Sequence, residues 1–121
     1  MRIEGTDSDR YQIAGDKHDW AVTATATEAR AESLRKHGRD SPLVDRYEYI
    51  HRLATDAIQK GGTLLFLSDI VLAKEAVYWF AHVAERDGDD SNKKAREDVG
   101  KRWVALEDDL VKQKERDDAG Q

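Results

Sequence analysis

The sequence predicts an all-α fold: a small antiparallel helical bundle with three main helices, a short leading helix and an extended N-terminal segment. Three observations carry this expectation. Apolar residues recur at three- and four-residue spacing between Leu43 and Leu110. Helix start and stop signals flank these stretches. Apolar and charged residues are also segregated: residues 43–84 hold 25 of the 47 apolar side chains and only 9 of the 45 charges. The bulk composition, 39% apolar and 37% charged, would suit a disordered chain if it were evenly mixed. Its segregation is that of an oily hairpin inside a charged wrapping. A chain of 121 residues fits one domain, with the bundle expected over 25–116, a flexible or extended segment at 1–24 and a frayed tail at 117–121.

Residues 1–10 are polar and read as mobile. Tyr11, Ile13, Trp20 and Val22 are apolar positions at period two around Gly15-Asp16-Lys17-His18-Asp19. That pattern predicts a short hairpin or two extended pieces docked on the bundle. Thr25 to Glu28 has capping-box spacing and Gly38 is placed as a left-handed stop, so a short helix is expected over 26–37. Leu34 is its only large apolar residue, which makes it peripheral. Ser41-Pro42 is a stronger start signal. From there Leu43, Val44, Tyr47, Ile50, Leu53, Ala54, Ala57 and Ile58 share one side of a helix that ends at Gly61-Gly62. A central helix follows over 63–86, apolar on more than half its circumference. The last helix, about 91–114, carries Ala95, Val99, Trp103, Leu106, Leu110 and Gln113 at steps of four or three, a narrow coiled-coil seam. No internal repeat is visible.

Several function classes fall away. With no cysteine, disulfides, thiolate metal sites and cysteine nucleophiles are excluded. No apolar run follows a basic start, so a secretory signal is not expected and a cytoplasmic location follows. Asp69, Lys74, Glu75 and His82 within the central helix argue against a membrane span. The net charge of −5 opposes nucleic-acid binding. The basic residues Arg30, Arg35, Lys36, Arg39 and Arg46 are interleaved with Glu28, Glu32, Asp40 and Asp45. No nucleophile elbow or phosphate-binding glycine loop appears, which leans against an enzyme.

Two polar constellations remain. With only Gly61-Gly62 between them, the two central helices are expected to lie antiparallel and adjacent. That register puts Asp69 on an apolar face with His51 as its nearest partner, a buried polar pair. Glu48-x-x-His51 has the spacing of carboxylate di-metal bundles. With Asp69, Glu75 and His82 it gives an alternative reading, a metal-binding or metal-dependent bundle holding Fe, Mn or Zn. The main reading has no cofactor. It is a non-catalytic helical interaction or regulatory module that self-associates through its central helix, as a dimer or with a helical partner. Val71, Val77, Tyr78, Trp79, Trp103 and Leu110 are the expected interface.

Overall fold

A computed structural model describes residues 1–38 and 41–119. Its elements run β1 (Arg2–Asp7), β2 (Arg10–Ala14), α1 (Lys17–Lys36), α2 (Pro42–Lys60), β3 (Gly62–Phe66), α3 (Leu67–Arg86) and α4 (Asp90–Ala119). Arg39 and Asp40, part of the basic stretch considered above, and the last two residues of the expected tail lie outside the described residues. The fold is mostly helical but not all-α, because β1, β2 and β3 form an antiparallel sheet in that order.

Of the three strands, β1 and β3 escaped the sequence, each for a different physical reason. β1 is a polar edge strand in which only Ile3 is partly covered, so it shows no alternating apolar face. The hairpin turn lies at Ser8-Asp9, where Asp7 pairs with Arg10 and Ser8 takes φ 58°. It does not lie at Gly15–Asp19. Tyr11 and Ile13 are extended as expected, but Trp20 and Val22 are helical. Asp16 caps α1 there, its Oδ1 accepting the N–H of Asp19 at 2.8 Å. That backbone hydrogen bond holds the Asp16 carboxyl below its ordinary pKa. β3 is a short apolar run, which periodicity alone cannot separate from the first turn of a helix. The chain decides the matter at Gly61, whose left-handed φ of 82° closes α2 with its N–H on the Ala57 carbonyl. The segment then pairs with β2, Ile13 opposite Thr63 and Tyr11 opposite Leu65.

Gly62 is required at this junction. A Cβ there would stand 2.5 Å from the Ile13 carbonyl oxygen and 3.4 Å from the Ala14 Cα. Both neighbours are backbone, so neither can swing away. Gly62→Ala is expected to cost about 2 kcal/mol through strain in the β2–β3 pairing. Chemical denaturation tests this, and parent-like stability would refute the assigned register.

α1 starts nine residues earlier than expected and is not peripheral. Its buried side chains are mainly small (Thr23, Ala24, Ala26, Thr27 and Ala31, besides Asp19, Trp20 and Leu34). Small residues let α1 pack closely against both α2 and α3. The buried threonine hydroxyls stay satisfied by donating back to the helix, Thr23 to the Asp19 carbonyl at 2.8 Å and Thr27 to the Thr23 carbonyl at 2.9 Å. The main helix pairs are α1 with α2 and α3 with α4, whereas α2 and α3 meet only slightly. The antiparallel helical hairpin expected at 42–86 is therefore not formed. β3 stands between its two arms.

The missed repeat is structural. Residues 10–60 and 62–119 each run strand, helix, helix. Antiparallel pairing of Arg10 with Phe66 and of Ala14 with Gly62 relates the two strands by a local two-fold axis. Every buried position of α3 (Asp69, Ile70, Ala73, Ala76, Val77, Ala81 and Ala84) has a buried counterpart in α1: Asp19, Trp20, Thr23, Ala26, Thr27, Ala31 and Leu34. Gly38 and Gly88 end the equivalent helices in the left-handed region, at φ 67° and 73°. The Gly15-Asp16 loop has no counterpart, because β3 runs straight into α3. Trp20 against Ile70 and Thr27 against Val77 show why identity matching fails: burial repeats, residue type does not.

The core sits where the two units meet. Trp20 and Trp103, both almost fully buried, touch edge to face with centroids 5.8 Å apart. Ile13, Ile50, Leu65 and Ile70 surround them in one cluster, each stabilising by about 1.5–3 kcal/mol through burial. Among the described residues no helix is long and apolar enough to cross a membrane.

Candidate association face and polar clusters

The structure does not bring His51 and Asp69 together. His51 donates from Nδ1 to the Ala24 carbonyl at 2.7 Å, and its Nε2 lies 3.9 Å from Glu28. Asp69 occupies the third position of α3. Its carboxylate accepts the Phe66 N–H at 3.0 Å and pairs with Arg46 of α2. The expected partner was wrong because the register assumed directly facing helices, and β3 displaces that register. Arg46, one of the basic residues interleaved with acidic ones in the sequence, supplies the partner instead.

Asp19 repeats the arrangement in the other unit. It too is third in its helix, is 2% exposed, and receives Arg102 of α4 at 2.6 Å. Each buried carboxylate thus lies in the first turn of a helix, where the dipole favours negative charge. Each is neutralised by an arginine from the opposite unit. Trp103 joins the same layer, donating its indole N–H to the Thr23 hydroxyl at 2.9 Å.

The residues of the metal reading are also dispersed. Glu48 pairs with Arg35, and His82 lies 3.7 Å from Glu85 on the surface. Glu75 is exposed on α3, where its charge adds to the burial that raises the Tyr47 phenol pKa. No group of three or more metal-ligating side chains converges among the described residues. The correction is geometric: Glu48 and His51 look toward α1, while Asp69 looks toward Arg46.

No family model, curated protein or solved structure matches the chain.

Of the expected interface residues, Val77, Trp103 and Leu110 are buried within the single chain. They hold the fold rather than face a partner. Val71, Tyr78 and Trp79 keep exposed surface. Two contacts fix the antiparallel register of α3 on α4. The Tyr78 ring lies over Gly100, where an added Cβ would approach it to 2.9 Å. Lys74 meets Glu107 at 2.7 Å. That register sets Val71 opposite the turn of α4 that runs from Glu107 into Val111, and Val104 lies between Gly100 and Glu107 on one line of α4. Val71, Tyr78, Val104 and Val111 therefore form a partly exposed apolar strip crossed by one ion pair. Tyr78 and Val111 are 37% and 39% exposed. Trp79 points elsewhere, since consecutive helix positions differ by about 100°.

Gly100, Val104 and Val111 were not among the expected contact residues. Their signal was present, a line at steps of four and seven beside the buried seam. The larger Trp103 and Leu110 mark instead the face of α4 that is buried within the chain. The equivalent groove in the first unit differs in chemistry. Glu28 stands where α3 has Tyr78, and with Glu48 and His51 it lines an open polar groove.

Proposed function

We propose that this chain is a small non-catalytic helical interaction or regulatory module, and that it pairs with a second copy through the outer face of α3 and α4. The observation that carries the reading is the strip Val71–Tyr78–Val104–Val111, with Lys74 and Glu107 at its middle. A symmetric dimer uses the same patch twice, so the patch must complement itself. One positive and one negative charge flanked by apolar ends meets that condition when two copies lie antiparallel. The titratable residues inside the molecule are engaged in fold-stabilising pairs, which fits a binding role better than proton transfer.

Light scattering across a concentration series tests the reading. The parent chain is expected to run as a dimer, and Tyr78→Asp combined with Val111→Asp is expected to run as a monomer. Both side chains are more than a third exposed, but the Tyr78 ring also packs on Gly100 within the chain. Circular dichroism therefore checks the fold of the variant, and Val111→Asp alone carries the test if the double variant unfolds. A parent chain that stays monomeric at high concentration, or a dimer indifferent to the two substitutions, would overturn the proposal.

A further inference from the structure

The C-terminal ends of α1 and α3 flank an open cavity of about 360 Å³ lined by Arg30, Ser33, Leu34, His37, Trp79 and Arg86. Two guanidiniums, an imidazole and a hydroxyl form its polar wall, with no carboxylate among the described residues that line it, in a chain of net charge −5. Among the described residues, Arg2, Arg10, Arg35, Arg46 and Arg102 each meet an acidic side chain; Arg30, Arg52, Arg86, Arg96 and Arg116 do not, and of these only Arg30 and Arg86 line this cavity. Arg30 is half-buried, and its guanidinium carbon lies 5.0 Å from the centre of the Trp79 ring. One wall therefore couples a cation to an aromatic surface.

Helix-end electrostatics explains part of this. Arg86 lies in the last turn of α3, where a cation offsets the terminal carbonyls. Arg30 lies well before the end of α1. The carbonyls of Ser33 and Arg35 there already accept the N–H groups of His37 and Gly38. His37 is itself held beside the cavity by Nδ1 on the Ser33 carbonyl at 2.7 Å. The Arg30 guanidinium has the Tyr47 phenol as a polar neighbour but no carboxylate at ion-pair distance among the described residues, and two guanidiniums around one cavity suit an oxyanion that takes several N–H donors.

We infer that this cavity binds a small oxyanion-bearing molecule with a flat ring, gripped by Arg30 and Arg86 and packed against Trp79. A phosphate ester and a carboxylate share the required chemistry. The cavity is bounded by six side chains at the helix ends, which fits a small molecule better than a long acidic segment. The inference stands apart from self-association. The strip from Val71 to Val111 runs along the outer sides of α3 and α4, so the cavity is available in monomer and dimer alike.

The test is a titration of phenyl phosphate into the intact chain, followed by tryptophan emission. Trp20 and Trp103 are buried in the core, which leaves Trp79 as the reporter. A saturable change is expected, lost in Trp79→Phe and weakened about tenfold by Arg30→Gln or by Arg86→Gln, since each removes a charge-assisted bond. Inorganic phosphate, lacking the ring, should bind more weakly, and phenol should give no response. Benzoate in the same titration separates the two headgroups: the tighter of benzoate and phenyl phosphate names the natural chemistry. Circular dichroism checks the fold of each variant, and exposed Arg86 carries the test if Arg30→Gln unfolds. A response that never saturates overturns the inference. So does a midpoint unchanged in the double arginine variant, or capture of an acidic peptide without any binding of phenyl phosphate.

Discussion

Trp103→Ala should destabilise the chain by about 3–5 kcal/mol, the usual cost of deleting a large buried aromatic. For a domain of this size that lowers the melting temperature by about 12–20 °C. Trp103 is 0% exposed, meets the edge of Trp20 and donates to the Thr23 hydroxyl, so alanine removes packing on several sides at once. The loss should be the same at low and high protein concentration, because none of those partners belongs to another molecule. A side chain buried only by dimerisation would instead lose stability in a concentration-dependent way. Since total stability of small domains is only about 5–15 kcal/mol, Trp103→Phe provides the milder companion. It keeps a ring but leaves the Thr23 oxygen without its donor, a cost of about 1 kcal/mol from the hydrogen bond besides some lost packing. Scanning calorimetry at two concentrations decides the matter, and an alanine variant that melts with the parent would contradict the core assigned to α4.

Arg46→Ala is the second large effect, and it runs against intuition because the Arg46 side chain is 41% exposed. What matters is the carboxylate left behind. Asp69 is fully buried and would keep only the Phe66 N–H. A loss of about 3 kcal/mol is expected, at the lower end for breaking a buried pair, since one hydrogen bond survives. Asp69→Asn in the same chain should restore part of that loss, because the neutral amide has no stranded charge. A double-mutant cycle in urea measures the coupling. Additive losses would mean that Arg46 and Asp69 act independently.

How much was legible in the sequence follows from these same residues. Pro42 at the first position of α2, Gly38 as a left-handed stop and the amphipathic face from Val44 to Ala57 are local signals that match the structure. The capping-box spacing at Thr25–Glu28 misleads, because α1 already begins at Lys17 behind Asp16. The sheet was not legible because no single strand announces itself: β1 lacks a buried face, β2 is short, and β3 looks like the first turn of an apolar helix. Their evidence is mutual pairing, for β2 with β3 across some fifty residues, which periodicity does not encode. Asp69 was singled out correctly as a costly buried charge. Its partner was not, because choosing between His51 and Arg46 required knowing that β3 separates α2 from α3. Asp19 was overlooked altogether, since an aspartate beside His18 and Lys17 in a polar run looks like surface. The cavity at Trp79 depends on α1 lying beside α3, again a consequence of the sheet.

The crossed arginines have a consequence for the chain as a whole. Asp19 belongs to the first strand–helix–helix unit but is neutralised from α4, and Asp69 belongs to the second but is neutralised from α2. A fragment ending near Gly61 would expose the Trp20 surface and leave Asp19 without its guanidinium, while the remaining fragment would carry Asp69 in the same condition. Neither piece holds what it needs to stand alone, yet each holds what the other lacks. The molecule is a pair of interlocking halves on one thread, suited to rejoining by complementation after a cut at the Lys60–Gly61 junction.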